Sequence, residues 1–350
     1  MDMNDATPAL PTSALRWSLL LLIGLLFSLA GMRPASAAPY WINLGSTISS
    51  PKEMSQQEVM TSPSGEYFLI TQTDGNLCVY RDFDNSGVWC SRSSSAGEAV
   101  YRTAMKTDGN LCTVNANGNN AWCRTNSGSE GNYFLKLKDD ANLCVSRGTP
   151  AAPLGEIWCS GVTAASQNRQ KLTYGTIYHL QNNYQNWSGG YLDVRGAGCG
   201  NMLCVSTSYW PERSSESTGS WAISGIGNPA TGTPVMPNDV IFLQNQYINS
   251  NLPSGTYLET RNKGCEFNVF CLSTSQVKDT GNSSTRWAVM SARNYVWVGQ
   301  PVSLMTYPTG SFPTYLDTRG YSCSDNLQCA STSGSNNRDS GSGTWRFLYR

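Results

Sequence analysis

The chain has 350 residues, 24 Lys and Arg against 24 Asp and Glu, and only 14% charged side chains. Zero formal net charge with no basic run excludes the electrostatic footprint of a nucleic-acid binder. A single histidine, His179, excludes most histidine-based catalytic and metal-binding arrangements.

In chain order, the first element is a leader. Arg16 precedes an apolar run from Leu19 to Ala30, and the small residues Ala35-Ser36-Ala37 follow, the layout of a cleaved secretory signal over residues 1–37. About 12 apolar residues are too few to span a bilayer as a helix, and no second long apolar run follows. The expectation is an exported chain, extracellular or periplasmic, beginning near Ala38 with no membrane span. Its roughly 310 residues suffice for two cores. No stretch of them shows apolar residues at helical spacing, while Gly, Ser, Thr, Asn and aromatics abound, so the chain reads as all-β.

Residues 38–165 carry a repeat of about 33 residues. The segment Gln72-Thr-Asp74-Gly-Asn76-Leu-Cys78-Val-Tyr80 echoes at Lys106 to Val114 and at Lys138 to Ser146. Asp74, Asp108 and Asp140 open the element Asp-x-Asn-Leu-Cys, and each copy closes with Trp-Cys, at Trp89-Cys90, Trp122-Cys123 and Trp158-Cys159. Each copy reads as a hairpin whose closing Trp can share one core with the other two about a threefold axis. Alternate residues of a strand point the same way, so Gln72, Asp74, Asn76 and Tyr80 would line one face as a comb of hydroxyl-binding groups. Asp-Gly-Asn is also a good turn sequence, and its repetition could simply set hairpins, above all in copies two and three.

The 12 cysteines fall into six close couples: Cys78/Cys90, Cys112/Cys123, Cys144/Cys159, Cys199/Cys204, Cys265/Cys271 and Cys323/Cys329. The same couple recurs at the same place in each repeat, so one local disulfide per repeat, formed in an oxidising compartment, is the economical reading. Zinc would need CxxC knuckles or neighbouring histidines, so no metal or other cofactor is expected.

The pattern QxDxNxVxY, three times in about 110 residues with a Trp closing each unit, resembles the bulb-type mannose-binding lectins over Pro39 to Val162. That family folds as a β-prism II of three four-stranded sheets. The resemblance implies that Gln72, Asp74 and Asn76 hydrogen-bond the axial O2 and its neighbouring hydroxyls on mannose, that Tyr80 reaches O4, and that Cys78 stands where the family has Val. Copy two keeps Asp108 and Asn110 but has Lys106, Cys112 and Val114; copy three keeps Asp140 and Asn142 but has Lys138, Cys144 and Ser146. Each lost hydrogen bond costs about 0.5–1.5 kcal/mol, so the resemblance implies one competent site and two degenerate ones.

Residues 170–350 carry a second, longer repeat. Tyr191-Leu-Asp193-Val-Arg195, Tyr257-Leu-Glu259-Thr-Arg261 and Tyr315-Leu-Asp317-Thr-Arg319 are each followed by a cysteine couple, a Ser-Thr-Ser and a Trp, namely Trp221, Trp287 and Trp345. Three units of about 60 residues with about four strands each resemble a β-trefoil. The QxW of galactose-binding trefoils is missing, so no sugar-site residues transfer, and the charged pairs read as structural bridges.

Catalysis is not expected. His179 sits in an apolar strand as a structural histidine, and every cysteine has an evident partner, which removes thiol chemistry. The leading expectation is a secreted lectin whose partners are mannose-containing glycans on a cell surface. The competing classes are a toxin or bacteriocin-like effector that uses both domains to reach its target, and a disulfide-rich inhibitory or structural protein without a sugar site.

Overall fold

Short alternating segments separated by glycine turns fold mostly as antiparallel hairpins along the described residues, and the fold is all-β. The computed structural model describes residues 41–93, 101–124, 128–164, 169–199, 202–248, 254–261, 269–278, 283–307, 312–318 and 327–350. The expected leader, 1–37, lies outside the described residues. Among those described, no helix is long and apolar enough to cross a membrane.

The N-terminal part is built of three sheets. Glu58–Thr61, Tyr67–Thr71, Leu77–Arg81 and Gly87–Cys90 form an antiparallel meander. Tyr101–Met105, Leu111–Asn115 and Asn120–Arg124 take Lys52–Met54 as their fourth strand. Tyr133–Leu137, Leu143–Thr149 and Ala152–Cys159 take Thr47–Ser49. Two sheets thus have the four expected strands, whereas the first gains a fifth, because Ile42–Asn43 pairs in parallel with Glu58–Thr61.

The three sheets enclose one core. Trp89 lies edge-on to Trp122 at 6.3 Å and to Trp158 at 6.0 Å, over buried Leu77, Leu111 and Leu143. Each such aromatic pair adds about 0.5–1.5 kcal/mol beyond its area burial. Register places Cys78 opposite Cys90, Cys112 opposite Cys123 and Cys144 opposite Cys159, and all three couples are disulfides. Loops of 11 to 15 residues closed in this way contribute about 3 kcal/mol each. Cys204, Cys271 and Cys329 are also disulfide-bonded. Of their expected partners, Cys265 and Cys323, and the side chain of Cys199, lie outside the described residues.

The hairpin turns share one device. Gly75 (φ +86) and Gly109 (φ +81) adopt the left-handed conformation, and a Cβ at either would come within 2.9 Å of a tyrosine ring, Tyr101 or Tyr133, from the next repeat. The third repeat holds Ala141 there at φ +65, fully buried.

The C-terminal part is a twelve-stranded sheet with four strands in each of three units. Its last strand, Trp345–Tyr349, pairs with its first, Ile177–Asn182. Trp221, Trp287 and Trp345 are fully buried, and each Nε1–H donates to a backbone carbonyl 29 residues earlier, Leu192, Leu258 and Leu316, at 2.9, 3.2 and 3.0 Å. His179 is buried, with Nδ1 3.0 Å from the Gly219 carbonyl. The repeated acids bond across the fold: Asp193 pairs with Arg213 and Asp317 with Arg338, while Glu259 accepts from Ser284 Oγ.

Residues Trp41–Arg350 form one compact unit. Its seam centres on Asp82, which is fully buried and accepts from Asn294 N (3.0 Å), Asn294 Nδ2 (2.8 Å), Tyr295 N (3.3 Å) and Trp297 Nε1 (2.7 Å). Burial pushes the Asp82 carboxyl above the ordinary carboxylate range, against the pull of these N–H donors. Beside it Glu66 accepts from Arg169 N, the Lys171 ammonium lies 3.6 Å from the centre of the Tyr295 ring, and that ring fills the space where a side chain on Gly65 would stand.

Candidate functional site

The strand Tyr67–Thr71 ends before Gln72, so the expected comb does not form on one extended face. Gln72 to Asn76 is a tight turn: Gln72 N donates to the Asn76 carbonyl and Gly75 N to the Gln72 carbonyl. Asp74 caps it, taking Asn76 N on Oδ1 (3.0 Å) and Asn76 Nδ2 on Oδ2 (2.7 Å). Asn76 Oδ1 accepts from Ser93 N at 2.7 Å, tying the turn to the chain beyond the Trp89-Cys90 strand. Asp74 is exposed and Asn76 half-buried. A carboxylate has about four lone-pair positions, so Asp74 keeps acceptor capacity for a ligand.

Tyr80 lies on the next strand, Leu77–Arg81, and Gln72 Nε2 donates to its hydroxyl oxygen at 2.7 Å. The Gln72 Oε1 sits 3.2 Å from Cys78 Sγ, a contact rather than a hydrogen bond because a disulfide sulfur carries no proton. The four sequence-derived residues of copy one thus form two coupled pairs, Asp74 with Asn76 on the turn and Gln72 with Tyr80 beside it.

The second pair opens onto a cleft of about 290 Å³. Phe68 and Ile70, alternate residues of Tyr67–Thr71, form one wall with Trp41. The Tyr80 ring stacks on Phe68 at 5.6 Å and 23°, and Trp41 meets Phe68 edge-on at 6.3 Å. Asp82 and Asn85 line it from the same repeat, and Ala292 and Asn294 reach it from the C-terminal part. Sequence reasoning misses these lining residues. The alternation of Phe68 and Ile70 was a usable signal for one wall, whereas Trp41 and Asn294 carry none.

The other copies differ. In copy two, Asp108 and Asn110 repeat the turn bonds (2.9 and 2.8 Å), while Lys106 Nζ donates to Asn120 Oδ1 at 3.1 Å and Val114 takes the place of Tyr80. A more charged cleft of about 530 Å³ lies there, lined among others by Lys106, Asp108, Arg102 and Glu53, the last two ion-paired at 2.8 Å. In copy three, Asn142 N donates to Asp140 Oδ1, and Asn142 Oδ1 accepts from Ser160 Oγ and Gly161 N. Lys138 there is pinned by Glu156 at 2.6 Å. Glu156 also lies beside the Cys144–Cys159 pair, but that disulfide leaves no thiolate to ligate a cation.

No protein-family model matches the chain. Among solved structures, a Caenorhabditis elegans protein of unknown function is 14% identical, with 52% of this chain and 98% of that one covered and a TM-score of 0.42. A monomeric monocot mannose-binding lectin from Gastrodia elata is 25% identical, with 34% and 99% covered and a TM-score of 0.30. The mannose-specific agglutinin of snowdrop (Galanthus nivalis) bulbs, complexed with methyl-α-D-mannoside, is 27% identical, with 34% and 99% covered and a TM-score of 0.27. Among curated proteins, "Putative lectin L633" of Acanthamoeba polyphaga mimivirus is 33% identical over 85 residues, 24% of this chain. The chain spans 43% of the length of that relative. The mimivirus, Gastrodia and snowdrop proteins all carry a lectin's name, and the chain is similar to each over part of its length.

Proposed function

We propose that the chain is a secreted carbohydrate-binding protein, a lectin, that takes a mannose-type glycan at its first repeat through Gln72, Asp74, Asn76 and Tyr80. In this reading residues 1–37 are a leader, 38–165 a β-prism of the bulb-lectin kind and 170–350 a β-trefoil of separate specificity, with no catalytic role. The observation that carries it is the pairing of the exposed, capped Asp74–Asn76 turn with the Gln72–Tyr80 hydrogen bond at the mouth of an aromatic cleft. A vicinal diol needs both acceptors and donors within one sugar's reach, and this repeat supplies a carboxylate, two amides and a phenol. Copies two and three put a lysine, each bonded to a neighbour, where copy one has Gln72. The disulfides suit an oxidising compartment.

The test is calorimetric titration of the oxidised chain with methyl α-mannoside. The unsubstituted protein is expected to bind in the millimolar range and Asp74→Ala/Asn76→Ala to show no heat. Tyr80→Phe keeps the stacked ring and loses one hydroxyl, so its affinity is expected to fall about 2- to 12-fold. Equal binding by the double variant would move the site elsewhere, and silence from the unsubstituted protein would overturn the proposal.

A further inference from the structure

Of the four residues assigned to a monosaccharide, only Gln72 and Tyr80 line the aromatic cleft, so Trp41, Phe68, Asn85, Ala292 and Asn294 in its lining have no assigned partner on the ligand. We propose that this cleft is a second saccharide subsite, shared between the two parts of the chain, which makes the site one for an oligosaccharide rather than a single sugar. The inference rests on the proposed function and extends it to residues outside the repeat.

Three observations carry it. First, the cleft is continuous with the primary residues: Gln72 and Tyr80 line it, and their mutual hydrogen bond fixes both. Second, its chemistry suits a pyranose, which offers C–H groups on its face and hydroxyls around its rim. The half-buried Trp41 and Tyr80 rings, both packed against buried Phe68, offer aromatic surface for the C–H groups. Asn294 supplies a rim partner: with Nδ2 directed at Asp82, its Oδ1 is the group it can offer a hydroxyl. At about 290 Å³ the cleft sits at the low end of small-molecule sites, roughly 300–1,000 Å³, a scale suited to one or two sugar rings. Third, the roof is built rather than incidental. Asn294 is fastened to buried Asp82 by its backbone and its side chain together, so Ala292 and Asn294 keep their place over the cleft before any ligand arrives.

The C-terminal part therefore selects the glycan through the first repeat's own site. A ligand extended beyond one residue touches both parts of the molecule at once.

The experiment compares methyl α-mannoside with α-linked mannobiose and mannotriose on the oxidised full chain. The oligosaccharides are expected to bind about tenfold tighter than the monosaccharide, as two or three extra hydrogen bonds and ring contacts would give. Ala292→Trp places bulk in the roof from an exposed position, and Trp41→Ala removes part of the platform; each is expected to bring the ratio of oligosaccharide to monosaccharide affinity near one. A ratio near one in the unsubstituted chain, or one unchanged in both variants, overturns the inference. If methyl α-mannoside binding is lost in Asp74→Ala/Asn76→Ala while that ratio never moves, the proposed function stands and only the subsite falls. If no saccharide binds the unsubstituted chain, both fall.

Discussion

Replacing Asp82 by Ala is expected to lower the chain's stability by about 3–5 kcal/mol, read as a shift in the denaturant midpoint. The size follows from what is left behind. Removing the carboxylate strands four N–H donors, from Asn294, Tyr295 and Trp297, in a region where Trp297 is 1% exposed and Asp82 itself fully buried. An unsatisfied buried donor costs about 1–3 kcal/mol, and water entering from the adjacent cleft relieves only those nearest it. The carboxylate also offsets the charges of Lys171 and Arg293, whose own burial disfavours their cationic forms. Trp297→Phe deletes a single donor and is expected to cost about 1 kcal/mol. A loss below about 1 kcal/mol in Asp82→Ala would show that water replaces the carboxylate freely and that the seam is held by ring packing on Tyr295 instead.

Trp345→Ala is expected to cost about 3–5 kcal/mol as well, by a different route. The side chain is fully buried in the C-terminal core, and its Nε1–H satisfies the Leu316 carbonyl at 3.0 Å. Truncation opens a large cavity beside the strand that joins the last unit to the first, Trp345–Tyr349, and removes the donor to the Leu316 carbonyl on Thr314–Thr318. Trp210, 69% exposed, is the matched control, for which Trp210→Ala should stay within about 0.5 kcal/mol. A small loss in Trp345→Ala would mean that the core collapses to fill the gap, and then the equivalent changes at Trp221 and Trp287 should be mild too.

What was legible in the sequence was whatever the chain says three times. The Asp-x-Asn-Leu-Cys and Trp-Cys elements placed the hairpins, and the recurring spacing of the cysteines paired Cys78 with Cys90 and its two counterparts before any coordinates. Features present once were illegible. Asp82 stands in a loop-like run, Arg81-Asp-Phe-Asp-Asn85, and reads as a solvated acid, because its partners lie 212 to 215 residues further on. The single-face comb failed for a local reason. A period of two holds only while the strand continues, and the turn at Gly75 breaks it after Thr71. The long-range ion pairs were equally illegible: Asp193 and Asp317 bond to Arg213 and Arg338, which come 20 and 21 residues later and stand outside the repeated Tyr-Leu-acid-x-Arg element.

The glycine at the tip of the first turn lies under Tyr101 of the following repeat, so the backbone that presents Asp74 and Asn76 is clamped from outside its own hairpin. Fixing a residue's backbone costs about 1–2 kcal/mol of conformational entropy, and here that loss is complete when the chain folds. On the proposed function, an arriving saccharide has no turn to order there. Its affinity would then carry no cost for ordering that turn, which favours rapid capture, rapid release, and strength gained by engaging many chain ends on one surface.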